Sequence, residues 1–126
     1  MNATILVVDD SALARRSTRR LLEAAGYRVL EAEDGLSALE RFSLERPDVV
    51  LLDLVMKGMY GLDVLSSLRQ IDPAARVIVV SADVQTSSRE MAREAGAAGF
   101  VTKPLDGPRV LALVEQALSG EVRPWS

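Results

Sequence analysis

The chain has 126 residues, of which 48% are hydrophobic, and a formal net charge of −3. This length suits one domain with a buried core, the hydrophobic fraction excludes an intrinsically disordered chain, and the acidic balance gives no reason to expect nucleic-acid binding. The sequence contains neither cysteine nor histidine, which excludes disulfides, thiolate metal sites and a histidine general base. Any chemistry must therefore come from carboxylates, hydroxyls, backbone groups and a few cations.

The sequence carries no signal for membrane insertion or export. No apolar run approaches the ~20 residues that a membrane-spanning helix needs. The first ten residues, MNATILVVDD, lack the basic region of a signal peptide. We therefore expect a cytoplasmic protein that does not associate with membranes.

Short aliphatic runs alternate with helical segments five times along the chain. In the second helical segment, Leu36, Leu39 and Phe42, together with Ala38, recur at helical spacing, which predicts that they face the core. The predicted strands cover residues 4–8, 28–32, 48–52, 76–80 and 99–102. The predicted helices cover residues 11–25, 36–45, 61–71, 86–95 and 108–118, and a glycine or proline within two residues ends each of the first four.

The strands are continuous aliphatic runs, as is typical of strands with both faces covered. Strands that alternate with helices across short links indicate a parallel sheet with helices on both faces. No low-complexity linker or change of composition divides the chain. We therefore expect one α/β domain over residues 1–126, with its core in residues 4–118 and a short C-terminal tail at residues 119–126.

Polar side chains follow four of the five predicted strands. In an open parallel sheet, ligands bind beyond the carboxyl ends of the strands. Each polar residue there, taken alone, is better explained as a helix cap, a turn residue or a solvated charge, but their convergence at one edge indicates a site. The residues are Asp9 and Asp10 after the first strand, Asp53 after the third, Ser81 after the fourth, and Thr102 and Lys103 at the fifth.

Three carboxylates in one place repel each other, and a hard divalent cation relieves that repulsion. Oxygen ligands without histidine or cysteine favour Mg²⁺. A carboxylate can also accept a phosphoryl group, whose three equatorial oxygens could be matched by Mg²⁺, a lysine and a hydroxyl. Lys103 is one of only two lysines beside thirteen arginines, and lysine is the compact charge suited to a single phosphate oxygen. The pattern predicts phosphoryl transfer onto one of the aspartates without saying which.

Four segments together resemble a known family. The segments ILVVDDS, VVLLDLVM, VIVVSAD and GAAGFVTKP are similar to those of receiver domains of two-component response regulators, of the chemotaxis-protein type. The resemblance covers about residues 4–118. It implies a flavodoxin-like fold, in which a five-stranded parallel sheet of strand order 2-1-3-4-5 has helices on both faces.

The resemblance also implies a metal-dependent phosphoacceptor site. Asp53 would accept the phosphoryl group. Asp10, Asp53 and the backbone carbonyl of Val55 would ligate Mg²⁺ directly. Asp9 would help through a water molecule, and Mn²⁺ would be a substitute ion.

The implied switch links the phosphoryl group to a binding surface. Lys103 would contact the phosphoryl group, and the hydroxyl of Ser81 would move to it. Phe100 fills the position of an aromatic switch that turns inward on phosphorylation, although an aromatic in GFV is also typical of a core residue. The Lys103–Pro104 peptide bond would be cis, as is usual in the family. The readout surface would comprise the fourth helix, fifth strand and fifth helix, at about residues 86–118.

By this resemblance the protein is a regulatory domain and not an enzyme, limited to its own phosphotransfer and slow autodephosphorylation. Its partners would be a histidine kinase or histidine phosphotransfer domain and an unidentified downstream protein, with no direct nucleic-acid or membrane binding. We expect a monomer or weak dimer. Two alternatives stay open: a receiver domain from a longer response regulator or hybrid kinase, and a haloacid-dehalogenase-like phosphatase with an aspartate nucleophile, although that motif needs Asp-x-Asp.

The loop after the third strand departs from the family pattern. Lys57 stands where a proline is common, and Tyr60 gives the third helix no good N-cap. We therefore expect residues 55–60 to be mobile and to become ordered with Mg²⁺ or phosphoryl. Lys57 is either a solvated cation or a contact for the phosphoryl group or a partner. Val55 and Asp83 occupy positions that set the phosphoryl lifetime in the family, and together they predict an intermediate lifetime.

Four arginines crowd the first helix. In the family this helix often docks the histidine-containing donor domain, but a solvated helix face explains the arginines equally well. Both readings stay open at this point. The residues are Arg15, Arg16, Arg19 and Arg20.

Overall fold

The computed structural model describes residues 2–56, 59–82 and 86–120. Some of the predictions concern residues that lie outside the described ranges. These residues are Lys57, Asp83 and the part of the C-terminal tail at residues 121–126. The strands are β1 (Thr4–Val8), β2 (Arg28–Ala32), β3 (Val49–Asp53), β4 (Val55–Met56), β5 (Met59–Tyr60), β6 (Val77–Ser81) and β7 (Gly99–Thr102). The helices are α1 (Ala12–Ala24), α2 (Gly35–Glu45), α3 (Gly61–Ile71), α4 (Thr86–Glu94) and α5 (Gly107–Ser119).

Five strands form one parallel sheet in the order β2-β1-β3-β6-β7. These are the second, first, third, fourth and fifth predicted strands, so the flavodoxin-like fold and its strand order are confirmed. The short strands β4 and β5 pair with each other in antiparallel register, Val55 opposite Tyr60 and Met56 opposite Met59. This pairing was not predicted, because two residues are too few to show a strand period.

The core lies on both faces of the sheet. Side chains alternate between the faces along each strand, so Leu6 and Val8 pack with α2, α3 and α4, whereas Ile5 and Val7 pack with α1 and α5. All five residues of β3 are buried. The continuous aliphatic runs in the sequence are the consequence of burial on both sides.

Several helix ends follow the signals in the sequence. The hydroxyl of Ser11 accepts a hydrogen bond from the backbone N–H of Ala14 and caps α1. Gly26 and Gly96, which follow α1 and α4, have φ values of 95° and 93°, a region that glycine occupies without strain. Tyr60 precedes α3 and makes no side-chain capping bond, as predicted.

The prediction that Leu36 faces the core is wrong. Its side chain is 75% exposed, whereas Ala38 and Phe42 are buried and Leu39 packs at the edge of the core. Residues two apart on a helix lie on opposite sides, so a face centred on Ala38 and Phe42 turns Leu36 to solvent. None of the helices in the described ranges is both long and apolar enough to cross a membrane.

Candidate functional site

The polar residues predicted at the strand ends lie at one edge of the sheet. Asp53 is the last residue of β3 and pairs with Val80 of β6. Ser81 ends β6 opposite Thr102 of β7. Asp9 directly follows β1, and its backbone N–H donates to the carbonyl of Ala32 at the end of β2. The parallel sheet therefore brings residues far apart in sequence to the same carboxyl edge.

Three carboxylates meet at this edge. Asp9, Asp10 and Asp53 each offer an oxygen, and these oxygens all lie within 4.8 Å of one another. Asp9 and Asp53 are 7% exposed, whereas Asp10 is exposed to solvent. Such a set of oxygens, open on one side, has the composition of a site for a hard divalent cation.

Lys103 joins two of these carboxylates. Its Nζ donates to Oδ2 of Asp53 at 3.0 Å and to Oδ2 of Asp9 at 3.2 Å. Lys103 itself follows β7, and its backbone N–H donates to the carbonyl of Ser81. The Lys103–Pro104 peptide bond is cis, as the resemblance implies. One ammonium thus balances two carboxylates that the sheet holds side by side.

Backbone contacts fix the Asp53 end of β3. The backbone N–H of Val55 donates to Oδ1 of Asp53 at 3.3 Å, and that of Leu54 donates to the carbonyl of Val80. Gly61 packs against this segment, because a Cβ there would lie 2.5 Å from the carbonyl oxygen of Asp53 and 2.7 Å from Cα of Leu54. Only glycine lets α3 start this close to the site.

Asp9 is held at every polar group. Its Oδ1 accepts from the backbone N–H of Ser11 at 2.9 Å, and its backbone carbonyl accepts from Nη1 of Arg15 at 2.7 Å. Arg15 also donates from Nε to Oε1 of Glu31 at 3.1 Å. From the sequence alone, Arg15 is one of four arginines on the first helix, and its contact with Asp9 is not predicted. The sequence signal for this contact is a charged residue one turn into the helix that follows the aspartate pair.

Burial and charge act in opposite directions on the pKa of Asp53. Burial raises the pKa of this carboxyl, and the nearby negative charge of Asp9 adds to the rise. The hydrogen bond and charge of Lys103 lower it without cancelling the rise, so the pKa of Asp53 lies above its usual value. Burial lowers the pKa of Lys103, but its contacts with Asp53 and Asp9 outweigh burial and raise it. Lys103 therefore stays charged.

The remaining predicted site residues differ in how far their side chains are exposed to solvent. Ser81 is 1% exposed, and Phe100 is 8% exposed and packs in the core beside β6. Val55 is 66% exposed, next to the site. Among the α1 arginines, Arg19 pairs with Glu23 and Glu31, while Arg16 and Arg20 point to solvent.

Comparison with known proteins identifies the family to which these features belong. Residues 5–115 match the response regulator receiver domain. The chain is 39% identical to the chemotaxis protein CheY of Bacillus subtilis over 116 residues, covering 91% of this chain and 97% of that protein.

Solved structures agree in fold. A LuxR-family two-component response regulator from Aurantimonas superposes with a TM-score of 0.91 at 34% identity, covering 100% of this chain and 90% of that one. A response regulator from Burkholderia pseudomallei superposes with a TM-score of 0.85 at 26% identity, covering 94% and 70% of the two chains.

Proposed function

We propose that this chain, which belongs to the response regulator receiver domain family, is a phosphorylation-controlled switch whose phosphoacceptor is Asp53. The observation that carries the proposal is the position of the Asp53 carboxylate. It ends a buried central strand, has an oxygen within 4.8 Å of oxygens from two further carboxylates, and bonds Lys103, the one lysine at this edge among the described residues. A fixed carboxylate beside a cation and a metal-type oxygen cluster is suited to phosphoryl transfer.

The acidic cluster supports a divalent cation as cofactor. Asp10, Asp53 and the backbone carbonyl of Val55 would hold Mg²⁺, with Asp9 acting through a water and Mn²⁺ as a substitute. The donor set fits this ion, because it contains only oxygens and the carboxylates otherwise repel each other. When bound, the cation supplies positive charge to the phosphoryl oxygens during transfer. The Burkholderia response regulator contains a phosphorylated aspartic acid and a calcium ion. By analogy this supports Asp53 as the phosphoacceptor and a divalent cation as the cofactor.

In the transfer step the protein positions the reacting groups and stabilises the charge that develops on the phosphoryl oxygens. An oxygen of Asp53 forms a bond to phosphorus while the phosphorus–nitrogen bond of a donor phosphohistidine breaks. The donor imidazole leaves with the electron pair and takes up a proton. Lys103, already 3.0 Å from Asp53, donates to a phosphoryl oxygen as negative charge builds there.

Readout requires that the phosphoryl group change a distant surface. In our proposal the hydroxyl of Ser81 donates a hydrogen bond to a phosphoryl oxygen. Phe100 lies on the neighbouring β7, two residues before Thr102, which pairs with Ser81. The side chain of Phe100 repacks when the hydroxyl of Ser81 moves. The surface of α4, β7 and α5 then binds a downstream protein. Phosphorylation adds up to about two negative charges at the site, and differential contacts of this kind shift an existing equilibrium.

Phosphotransfer from a histidine kinase or a small-molecule phosphodonor tests the assignment. We expect Mg²⁺-dependent gain of one phosphoryl mass, retained in Asp63→Asn, which changes an exposed aspartate on α3, and absent in Asp53→Ala. Equal phosphorylation of Asp53→Ala would overturn the assignment.

The phosphatase alternative makes a different prediction. Turnover of a phosphomonoester that is blocked by Asp9→Asn but not by Asp53→Asn would favour it over the regulatory role. We propose the regulatory role, with residues 4–118 as one receiver domain that is monomeric or weakly dimeric. Light scattering after size-exclusion chromatography tests the oligomeric state.

A further inference from the structure

We propose that Arg15 is a positioning residue for the metal site, whose guanidinium fixes the Asp9–Asp10 peptide and so keeps the Asp10 carboxylate within reach of Asp53. The inference rests on the proposed function, because it concerns the same acidic cluster. It assigns a role to a side chain that touches no metal ligand atom and no phosphoryl group.

Arg15 contacts the acidic cluster through the backbone of Asp9. Its Nη1 lies 2.7 Å from the carbonyl oxygen of Asp9. That carbonyl belongs to the peptide unit that joins Asp9 to Asp10, and a peptide unit is planar and stiff. A bond that fixes the carbonyl therefore also restrains the backbone from which the Asp10 side chain starts. The backbone N–H of Asp9 donates to the carbonyl of Ala32, which anchors this residue to β2.

Glu31 holds Arg15 in this position. Its Oε1 accepts from Nε of Arg15 at 3.1 Å, and its other oxygen accepts from Arg19. Glu31 is part of β2, so the guanidinium is braced between the sheet and the turn that carries the acidic pair. Only 14% of the Arg15 side chain is exposed. Hydrogen bonds between charged groups are the stronger kind, which makes this brace stiffer than a typical surface contact.

A simple charge effect and a positioning effect have opposite signs here. If Arg15 acted only as a nearby positive charge, its removal would make the acidic cluster more negative and would tighten Mg²⁺ binding. If Arg15 positions the cluster, its removal frees the Asp9–Asp10 peptide and weakens Mg²⁺ binding. Residues that orient metal ligands typically account for about 10- to 100-fold in affinity.

Arg15→Gln separates these effects. An open cavity of about 260 Å³ borders Arg15, Glu31 and Ser37, so water can fill the space left by the shorter side chain and the fold need not collapse. Arg19→Gln is the matched control, because Arg19 bonds the same Glu31 but not Asp9. Arg16→Gln removes one charge from an exposed position on the same helix.

The measurement is an NMR titration of amide shifts with MgCl₂ alone. We expect Arg15→Gln to raise the Mg²⁺ dissociation constant about 10-fold, while Arg19→Gln and Arg16→Gln stay near the wild-type value. Phosphorylation by a small-molecule phosphodonor should need more Mg²⁺ for half-maximal rate in Arg15→Gln but should reach the wild-type rate at saturation. A purely structural role would instead lower stability in urea without changing the dissociation constant.

The outcomes distinguish the inference from the proposed function. An unchanged or tighter Mg²⁺ affinity in Arg15→Gln, with a wild-type protein that binds Mg²⁺ and is phosphorylated on Asp53, overturns the role of Arg15 alone. A wild-type protein that shows no saturable Mg²⁺ binding overturns the metal site and the inference with it.

Discussion

Lys103 and Asp53 are joined by a 3.0 Å bond between an ammonium and a carboxylate that are fifty residues apart in sequence. The hydrogen bond from the Lys103 N–H to the carbonyl of Ser81 places the base of this lysine at the end of β7. Asp53 is placed by the buried strand β3. Because both ends of the contact are fixed by the sheet, Lys103 is already in place for the phosphoryl transfer proposed for Asp53.

Replacing Lys103 with methionine tests this contact. Methionine keeps much of the length and loses the charge, so the pKa of Asp53 should rise further, because the hydrogen bond and charge of Lys103 now lower it. Phosphorylation should slow by roughly 100-fold, the order typical for loss of one charge-stabilising donor. Carbon-13 NMR of the Asp53 carboxyl and the rate of phosphoryl incorporation measure the two effects.

The chain's other lysine provides the comparison. If Lys57 is a solvated cation, Lys57→Met leaves both measurements at the wild-type values. A comparable loss of rate in Lys57→Met would instead support the alternative that Lys57 reaches the phosphoryl group. An unchanged rate in Lys103→Met would contradict the role given to Lys103.

Gly61→Ala tests the close approach between α3 and the end of β3. The added Cβ would meet the backbone of Asp53 and Leu54 at 2.5–2.7 Å, and backbone atoms cannot move aside as a flexible side chain can. Overpacking of this kind costs about 1–3 kcal/mol, and the displaced Asp53 should also be phosphorylated more slowly. Urea unfolding and phosphodonor assays measure the changes.

Gly99→Ala is the matched control for this substitution. A Cβ at Gly99 would have its nearest contact at 3.6 Å, to the side chain of Leu113, which is ordinary van der Waals distance. We therefore expect little loss of stability and normal phosphorylation. Equal effects at the two glycines would show that the close approach at Gly61 is not what matters.

Glu31 carries a prediction about acid stability. The hydrogen bond from Arg19 lowers the pKa of Glu31, and Arg15 lowers it further against the opposing effect of burial. A lowered pKa in the folded state means that the carboxylate stabilises the fold above the ordinary pKa of glutamate. That contribution is lost as the pH falls through the lowered pKa.

Glu31→Gln should therefore be less stable than the wild type at neutral pH, by up to about 1 kcal/mol for a partly exposed pair. The two proteins should converge in stability as the pH falls through this window, and added salt should narrow the difference. Thermal unfolding over a pH series measures the difference. A gap that stays constant across the acid range would contradict the assignment of the lowered pKa to Glu31.

Much of this architecture could be predicted because it depends on strong local signals. Continuous aliphatic runs marked the buried strands, and the aspartate that ends VVLLD fell at the carboxyl edge where α/β sheets bind ligands. The strand order needed the family resemblance, since alternation of elements alone does not fix it. Strand bounds shifted by one residue at β3 and β6, because an aliphatic run does not show where hydrogen bonding begins.

What could not be predicted depends on three-dimensional neighbours. Arg15 looks like Arg16 in the sequence, yet rotation around α1 places one against the Asp9 carbonyl and leaves the other in solvent. In the sequence Gly61 marks only the start of the helix predicted at residues 61–71, because the backbone that it approaches belongs to a separate element. The exposure of Leu36 could not be predicted, because spacing alone does not show which of two overlapping apolar faces is buried.

Val55→Asn tests how the phosphoryl lifetime is set. Val55 follows Asp53, the proposed phosphoacceptor, by two residues and is 66% exposed at the mouth of the site. Valine offers no hydrogen bond to an attacking water, whereas an asparagine amide can bind and orient one. Release of inorganic phosphate from the phosphorylated protein should therefore be faster in Val55→Asn. Leu44→Asn replaces another exposed aliphatic side chain, 76% exposed on α2, with asparagine and should leave the rate unchanged. Identical lifetimes in Val55→Asn and the wild type would show that water access is controlled elsewhere.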